Sequence, residues 1–468
     1  MTSGIVLTQT TLEAGNQNLT FGESKGIEWE ALVNVPTVGF QAIATTGDVT
    51  VTDGHHLYLT GFEGDHGTGS LLVNNDDSTV QVTENGKLTL GLDGHETGGS
   101  LAMVLANNGH VEVAQNGTFS IGALMVIDDS TLTVANDGTL TVQRFQDSAT
   151  SKTTIDGTLN IGSGATVEGQ MINRGVVSIE GAATFADLNN SGVVEAVTVG
   201  VGAEEARGIL QNQSGAELTA TDGATLWLTG ENTNAGNMSA EQVVIDLGAD
   251  AVFTNSGTIK SSGEIGFINL TGEEGGKFVN AGSLETSVLN ITGLNFETTS
   301  QVVTESLSLT DTTFTVSETA SVTVQALDLE SVTIVNDGTL TISGANEALT
   351  LTNSTLTNNG ELSASTITLD ESAKVTNNGQ FAVTDLTLGS SSAIAQSDAG
   401  TLKVQNLTIT GNTFDLGSGT WMIGSESGIK FVDKEGQTQA GVINVTSGKE
   451  FVTANADVAN TIYHVTKS

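Results

Sequence analysis

Several residue types are scarce or missing from this 468-residue chain, and each shortage limits what the protein can be. Cysteine is absent, which excludes disulfides, thiolate metal sites and thiol nucleophiles. Proline occurs once, which argues against a disordered linker protein, although the chain is polar and rich in glycine. The sequence has no run of about 18 apolar residues, so we predict no membrane-spanning helix and do not expect this chain to be embedded in a membrane.

Basic residues are also scarce. The chain has 14 lysines and arginines against 54 acidic residues, a net charge of −40. Nucleic acids and anionic membranes are poor partners for such a surface, so we predict no nucleic-acid partner. Aromatic residues make up only 4% of the chain, which leaves few rings for stacking on sugars.

The most informative stretch is 335–409, where two sequence marks alternate. The first mark is a turn that ends in glycine, and it recurs at Gly338, Gly360, Gly379 and Gly400. The second is an apolar-polar-apolar triplet, which begins at Leu349, Ile367, Leu386 and Leu407. Two unrelated marks that share a period of about 20 residues indicate a solenoid.

The residues between the marks predict strands. Triplets such as Leu349-Thr350-Leu351 place aliphatic side chains on one face and threonine on the other, and no segment keeps a helical period. We therefore predict an all-β fold, a right-handed parallel β-helix with three sides and about 20 residues per turn. Glycine and asparagine are expected to supply positive φ angles at the corners. We expect the turn asparagines Asn336, Asn358 and Asn377 to stack as an amide ladder inside the fold.

The two ends of the chain depart from the repeat. We predict an N-terminal cap at 1–48, the β-helix at 49–411 and a C-terminal capping or folding segment at 412–468. Glycine-rich stretches near 61–70 and 91–99 are predicted to protrude from neighbouring turns.

Repeated units of the form N-x-G-x-L/V/F carry a resemblance to a known family. They occur at 173–177, 255–259, 336–340 and 377–381. In these units the chain resembles the passenger domains of autotransporters, which are secreted by the type V route in Gram-negative bacteria, and most of all their self-associating adhesin branch. The resemblance implies a β-helix at the bacterial cell surface that acts in adhesion, autoaggregation or biofilm formation. Neither a signal peptide nor the family's C-terminal membrane domain is evident, so it implies an isolated passenger.

The sequence gives little support for a metal site or for ice binding. The histidines His55, His56, His66 and His95, with Asp65 or Glu96, match no closed zinc pattern, and we interpret them as solvated loop residues. The pairs Asp76-Asp77, Asp128-Asp129 and Glu273-Glu274 predict no dedicated calcium site, because the G-G-x-G-x-D repeat is absent. Ice binding would need T-x-T pairs at one fixed position of each turn, and the pairs at 131–133, 339–341, 355–357 and 366–368 vary in spacing.

We therefore predict a secreted, surface-displayed adhesin that binds a host glycan or protein, or a copy of itself on a neighbouring cell. It is expected to have no enzymatic activity, and we assign no catalytic, cofactor-binding or metal-binding residue. The alternative is a β-helix enzyme that degrades polysaccharides, a glycosidase or a lyase. A glycosidase needs two carboxylates in a groove, which 54 acidic residues could supply. A polyuronate lyase needs basic residues for its acidic substrate, and they are rare here.

Overall fold

The computed structural model describes residues 79–92, 102–106 and 109–466, with gaps at 263–265, 345–347, 371, 391, 417, 425–427, 447–449 and 454–460. Before residue 79 it describes only the strands 19–21, 25–28, 42–45, 49–51, 56–61 and 70–74. These described residues contain 49 strands and no helix, and hence no helix long and apolar enough to cross a bilayer. The chain divides into two compact units, Met1–Leu228 with Asn232–Ala240, and Thr229–Glu231 with Glu241–Ser468.

The strands are short and follow one another closely. Up to residue 240 they are β1 Leu19–Phe21, β2 Lys25–Glu28, β3 Ala42–Thr45, β4 Val49–Val51, β5 His56–Gly61, β6 Ser70–Asn74, β7 Thr79–Val82, β8 Lys87–Leu92, β9 Ala102–Ala106, β10 His110–Val113, β11 Thr118–Val126, β12 Thr131–Val134, β13 Thr139–Asp147, β14 Lys152–Ile155, β15 Thr158–Asn173, β16 Val176–Ile179, β17 Ala182–Asn190, β18 Val193–Val201, β19 Leu210–Asn212, β20 Glu217–Leu228, β21 Glu231–Asn234 and β22 Asn237–Ala240.

The remaining strands complete the second unit. They are β23 Gln242–Leu247, β24 Val252–Asn255, β25 Thr258–Ser261, β26 Phe267–Gly272, β27 Lys277–Asn280, β28 Ser283–Glu285, β29 Val288–Thr292, β30 Asn295–Thr298, β31 Gln301–Thr310, β32 Thr313–Val316, β33 Ser321–Glu330, β34 Thr333–Asn336, β35 Thr339–Ile342, β36 Ala348–Leu351, β37 Thr355–Asn358, β38 Glu361–Leu369, β39 Lys374–Asn377, β40 Gln380–Leu388, β41 Ala393–Gln396, β42 Thr401–Thr410, β43 Thr413–Leu416, β44 Thr420–Ile423, β45 Ile429–Val432, β46 Thr438–Gln439, β47 Gly441–Thr446, β48 Glu450–Thr453 and β49 Thr461–Thr466.

Each unit is a stretch of right-handed parallel β-helix with about 20 residues per turn, as the repeat predicts. Most turns in the described part of the chain carry three strand segments, which we call first, second and third strands. In the second unit, the second strands that begin at Gln301, Ser321, Thr339, Glu361, Gln380 and Thr401 pair in parallel, each with the next turn. The step along the chain is shorter from Ser321 to Thr339 than from Thr339 to Glu361, because the corners differ in length.

Alternating burial explains the core. First strands such as Thr333–Asn336 bury their second and fourth residues and turn the first and third outward. Inward residues from successive turns then stack on like residues. In the second unit Phe253, Phe278, Phe296 and Phe314 form a stack with ring centroids 5.1, 5.6 and 5.1 Å apart. Such stacked ring contacts add to the stabilisation that burial of the rings provides.

The predicted amide ladder is confirmed. The Nδ2 of Asn336 donates to Oδ1 of Asn358 at 2.7 Å, Asn358 donates to Asn377 at 2.8 Å, and Asn377 donates to Oε1 of Gln396 at 3.0 Å. The three asparagines are fully buried, and each also donates to a backbone carbonyl in the next turn. The first unit has its own ladder along Asn173, Asn190, Asn212 and Asn234.

The glycines of the turn mark have a different role from the one expected. Asn85, Asn116 and Asp137, each before a glycine, do have positive φ angles of 57°, 56° and 58°. Gly338, Gly360, Gly379 and Gly400 do not. The turns are stacked so closely here that a Cβ atom on Gly360 would overlap the carbonyl oxygen of Gly338. Glycine is required at these corners for close approach, and the expectation of positive φ was wrong for them.

Parallel pairing continues on both sides of the predicted cap boundaries. Strand β1 pairs with β4 across residue 48, and β42 pairs with β44 across residue 411. The segment after 411 also contains one antiparallel pair, β45 with β46, and a buried Trp421 against which Phe414 packs edge-on at 5.5 Å. Capping by 1–48 and by 412–468 stays a prediction.

Replacing Asn358 with alanine should destabilise the fold, because Oδ1 of Asn377 and the carbonyl of Gln380 both lose the Nδ2 donor. We expect a loss of about 2–4 kcal/mol, since an unsatisfied buried polar group costs about 1–3 kcal/mol. Asn359→Ala is the matched control, since Asn359 bonds to Asp337 and Asn378 in an exposed ladder at the adjacent position. Its loss should stay below about 1 kcal/mol. Urea unfolding of both variants measures this, and equal shifts of the midpoint would contradict a buried ladder.

Candidate functional surface

The third strands of the second unit present a continuous outward column. Their middle residues are brought together by the parallel pairing of β36, β38, β40 and β42. The column consists of Thr350, Thr368, Thr387 and Thr408, one per turn and in direct register. Because paired strands lie about 4.8 Å apart, the four hydroxyls form a row with that spacing. Thr350 is exposed and the other three are half-buried. We call these four residues the threonine column.

The same flank carries small polar side chains on earlier turns as well. Asn269, Asn290, Ser308 and Asp328 are in register with one another on β26, β29, β31 and β33. The Nδ2 of Asn290 donates to Oδ1 of Asn269 at 2.7 Å. A bridge between Glu330 and Thr352 joins this row to the turn of Thr350. The flank therefore presents a row of hydroxyl, amide and carboxylate groups, one at each turn.

A second polar row lies beside the threonine column and consists of Thr366, Asp385 and Asn406, which are in register on β38, β40 and β42. On this row the Nδ2 of Asn406 donates to Oδ1 of Asp385 at 2.6 Å, and both side chains are half-buried. Thr366 is the partner of Asp385 one turn earlier. The arrangement offers donors and acceptors to a partner surface at many equivalent positions, which is the geometry of repeated weak contacts.

The T-x-T pairs are distributed over different flanks. Thr131 and Thr133 lie on one first strand of the first unit, β12. In the second unit, the pairs are at Thr355–Thr357 on a first strand, Thr339–Thr341 on a second strand and Thr366–Thr368 on a third strand. They do not form one flat threonine face.

Several predicted features lie outside the described residues. These are residues 62–69 of the predicted loop 61–70 and 93–99 of the predicted loop 91–99, together with His55, His66, His95, Asp65, Glu96, Asp76 and Asp77. The ends of the two predicted loops are strand residues, Gly61 in β5, Ser70 in β6, and Gly91 and Leu92 in β8. For His56 only its place in β5 is described. Among the described residues, no group of three or more histidine, aspartate or glutamate side chains could hold a metal ion.

Asp128 and Asp129 form a tight turn with positive φ angles, and the Asp129 amide donates to the Thr150 hydroxyl at 3.0 Å. Glu273 and Glu274 form an exposed turn.

The first unit contains a small hairpin that the sequence analysis did not predict. Ala203 and Ala206 exchange backbone hydrogen bonds of 2.9 and 3.0 Å, with Glu204 and Glu205 exposed at the tip. Behind the tip, the Arg207 guanidinium lies 5.5 Å from the centre of the Trp227 ring, a cation–π contact. The sequence signal was the interval between Gly192 and Gly215, the widest between successive turn glycines in the run from 117 to 257.

A buried carboxyl group lies in the core of the first unit. Asp147 is 1% exposed, and its oxygens accept hydrogen bonds from the Gly169 amide at 2.9 Å and the Thr153 hydroxyl at 3.3 Å. Burial raises the pKa of Asp147 from 3.8 to about 6, because desolvation outweighs these hydrogen bonds, which lower it. The side chain is therefore poised to lose its proton in mildly acidic solution.

No protein-family model, curated protein or solved structure matches the chain.

The Asp147→Asn substitution should remove one pH-dependent contribution to stability. The pKa of Asp147 is higher in the folded chain than in the unfolded one, so its contribution is fully present below pH 3.8 and is lost as the pH rises to about 6. The loss is about 3 kcal/mol at most, at about 1.4 kcal/mol for each pKa unit. Asparagine keeps an acceptor for Gly169 and a donor for Thr153 without the charge.

We therefore expect the variant to be more stable than the parent at pH 7.5 and similar to it at pH 4. Urea unfolding at both pH values gives the difference, and the parent chain is the control for the other carboxylates. A stability difference that is the same at pH 4 and pH 7.5 would contradict a raised pKa for Asp147.

Proposed function

We propose that this chain is a surface-displayed bacterial adhesin, the passenger of an autotransporter, which binds partners through the flanks of its β-helix. Its partner is a host glycan or protein, or a second copy on a neighbouring cell. The observation that carries the proposal is the threonine column, with like hydroxyl groups repeated turn after turn. Each contact with such a row is weak, and many of them together supply avidity.

The proposal is also supported by the division between inward and outward positions in each turn. The inward positions of the turns are occupied by apolar side chains and amide ladders, so the outward positions are free to vary without loss of the core. A surface of this kind suits contact over a broad area. Cell–cell aggregation, biofilm formation and attachment to host surfaces all require such contact, and secretion to the cell surface is part of the proposal.

Charge sets the conditions under which two copies can meet. The net charge of −40 opposes close approach, and salt screens this repulsion over about 10 Å at 0.1 M. Self-association should therefore strengthen as salt is added or as the pH falls toward the carboxylate pKa values. Aggregation of displaying cells that responded to neither condition would argue against contact between copies.

The double substitution Thr368→Glu with Thr387→Glu should abolish adhesion if the threonine column makes the contact. The substitution places two negative charges on adjacent turns of the flank. A partner surface would then have to meet unpaired or like charges, which weakens binding. Thr357→Glu with Thr376→Glu is the matched control, because these two threonines are also half-buried, outward and in register on adjacent turns, on the first-strand flank. Cells that display each variant are scored for settling and for binding to a glycan array and to host-cell proteins.

We expect the control to adhere like the parent and the column variant to lose adhesion. Equal adhesion by both variants would exclude the column as the contact surface. A parent chain that promotes no adhesion in any assay, or that releases reducing ends from a polysaccharide, would contradict the proposed function.

A further inference from the structure

A groove on the second-strand flank of the second unit lies apart from the threonine column. It has a volume of about 450 Å³ and follows one outward row across four turns, from β38 to β44. The row consists of Ser363, Ala382, Lys403 and Met422, which are direct partners in successive strands. Two short side chains at the start of the row leave a depression, and two long ones border its other end.

The lining of the groove is mostly apolar. Val383, Val404 and Ile423 reach it from the edge of the core and are 5%, 3% and 3% exposed. Met422 is 38% exposed, which is unusual for so large an apolar side chain in this fold. A methionine thioether is flexible and polarizable, so it adapts to the shape of an apolar ligand. Uncovered apolar surface of this kind favours a ligand that removes it from water.

One charged side chain lines the groove, and it is a cation. Lys403 is exposed, and none of the carboxylates in the described part of the chain forms an ion pair with it. The lining residues include no aspartate or glutamate, although the chain carries 54 of them. An isolated lysine at the edge of an apolar groove complements an anion whose remainder is apolar.

We propose that this groove binds a linear aliphatic carboxylate, the chemistry of a free fatty acid. The acyl chain lies over Val383 and Val404 and contacts Met422, and the carboxylate pairs with the Lys403 ammonium. This binding is separate from adhesion through the threonine column and does not depend on the proposed function.

The test uses the full chain with methionine methyl groups labelled with carbon-13, and decanoate as the probe. Only six methionines give signals, and Met422→Leu identifies the one at the groove. We expect a saturable shift of the Met422 methyl with decanoate. Octanoate, which lacks two methylenes, should bind about tenfold more weakly, because each buried methylene contributes about 0.8 kcal/mol.

The role of charge is tested by removing the lysine from the groove and, separately, by reversing the charge of the ligand. Lys403→Ala should weaken decanoate binding about two- to fivefold, as expected for an exposed ion pair. Lys374→Ala, which removes an exposed lysine from the first-strand flank, should leave it unchanged. Decyltrimethylammonium, with the same chain and the opposite charge, should bind more weakly than decanoate.

Three results would overturn the proposal. The first is the absence of a saturable Met422 shift, with the far-ultraviolet circular dichroism unchanged. The second is equal weakening by Lys403→Ala and Lys374→Ala, which would show a general charge effect. The third is equal binding of decanoate and decyltrimethylammonium, which would show apolar adsorption only.

Discussion

Within each unit, the paired strands of successive turns lie at a spacing of about 4.8 Å, so a strand residue has its counterpart in the next turn as a close neighbour. An inward side chain is therefore favoured where it packs well against its counterpart in the next turn, and several positions repeat one residue type. Asn358 meets this condition because its amide both accepts and donates. Phe296 meets it by stacking between two rings, and Gly360 meets it because it has no Cβ atom to overlap the carbonyl of Gly338.

The repeat made the fold predictable, while single deviations from it were missed. The amide ladder could be predicted because Asn336, Asn358 and Asn377 occur at the period of the strands. The role of Gly360 could not be predicted, because a close backbone contact and a positive φ angle both require glycine, and the sequence does not distinguish them. Alternation along β13 does place Asp147 inward beside Phe145, but the raised pKa depends on how completely the neighbouring turns bury it. The hairpin at Ala203 was marked only by a wide glycine spacing.

The candidate surface depends on register, and register is hidden in the sequence by corners of unequal length. Partner residues are unequally spaced along the chain, so outward threonines that look irregular in the sequence become one straight row when the turns stack. Conversely, residues that look equivalent in the sequence can lie apart in the structure. The T-x-T pairs that begin at Thr339 and Thr355 have the same pattern but lie on different flanks. Composition predicts a polar surface, and only the pairing of the strands tells which residues share a flank.

In-register stacking can be measured directly with paired cysteines, because the chain has none of its own. Thr368 and Thr387 are partners on adjacent turns, at the strand spacing of about 4.8 Å, within the range that a disulfide spans. A chain with cysteine at both positions should form the disulfide nearly completely on mild oxidation. The pair Thr350 and Thr387, two turns apart at about 9.6 Å, should not form it, because disulfides need Cα atoms closer than about 7 Å. Failure of the first pair, or equal oxidation of both pairs, would contradict the stacked turns from which the core and the proposed binding surfaces follow.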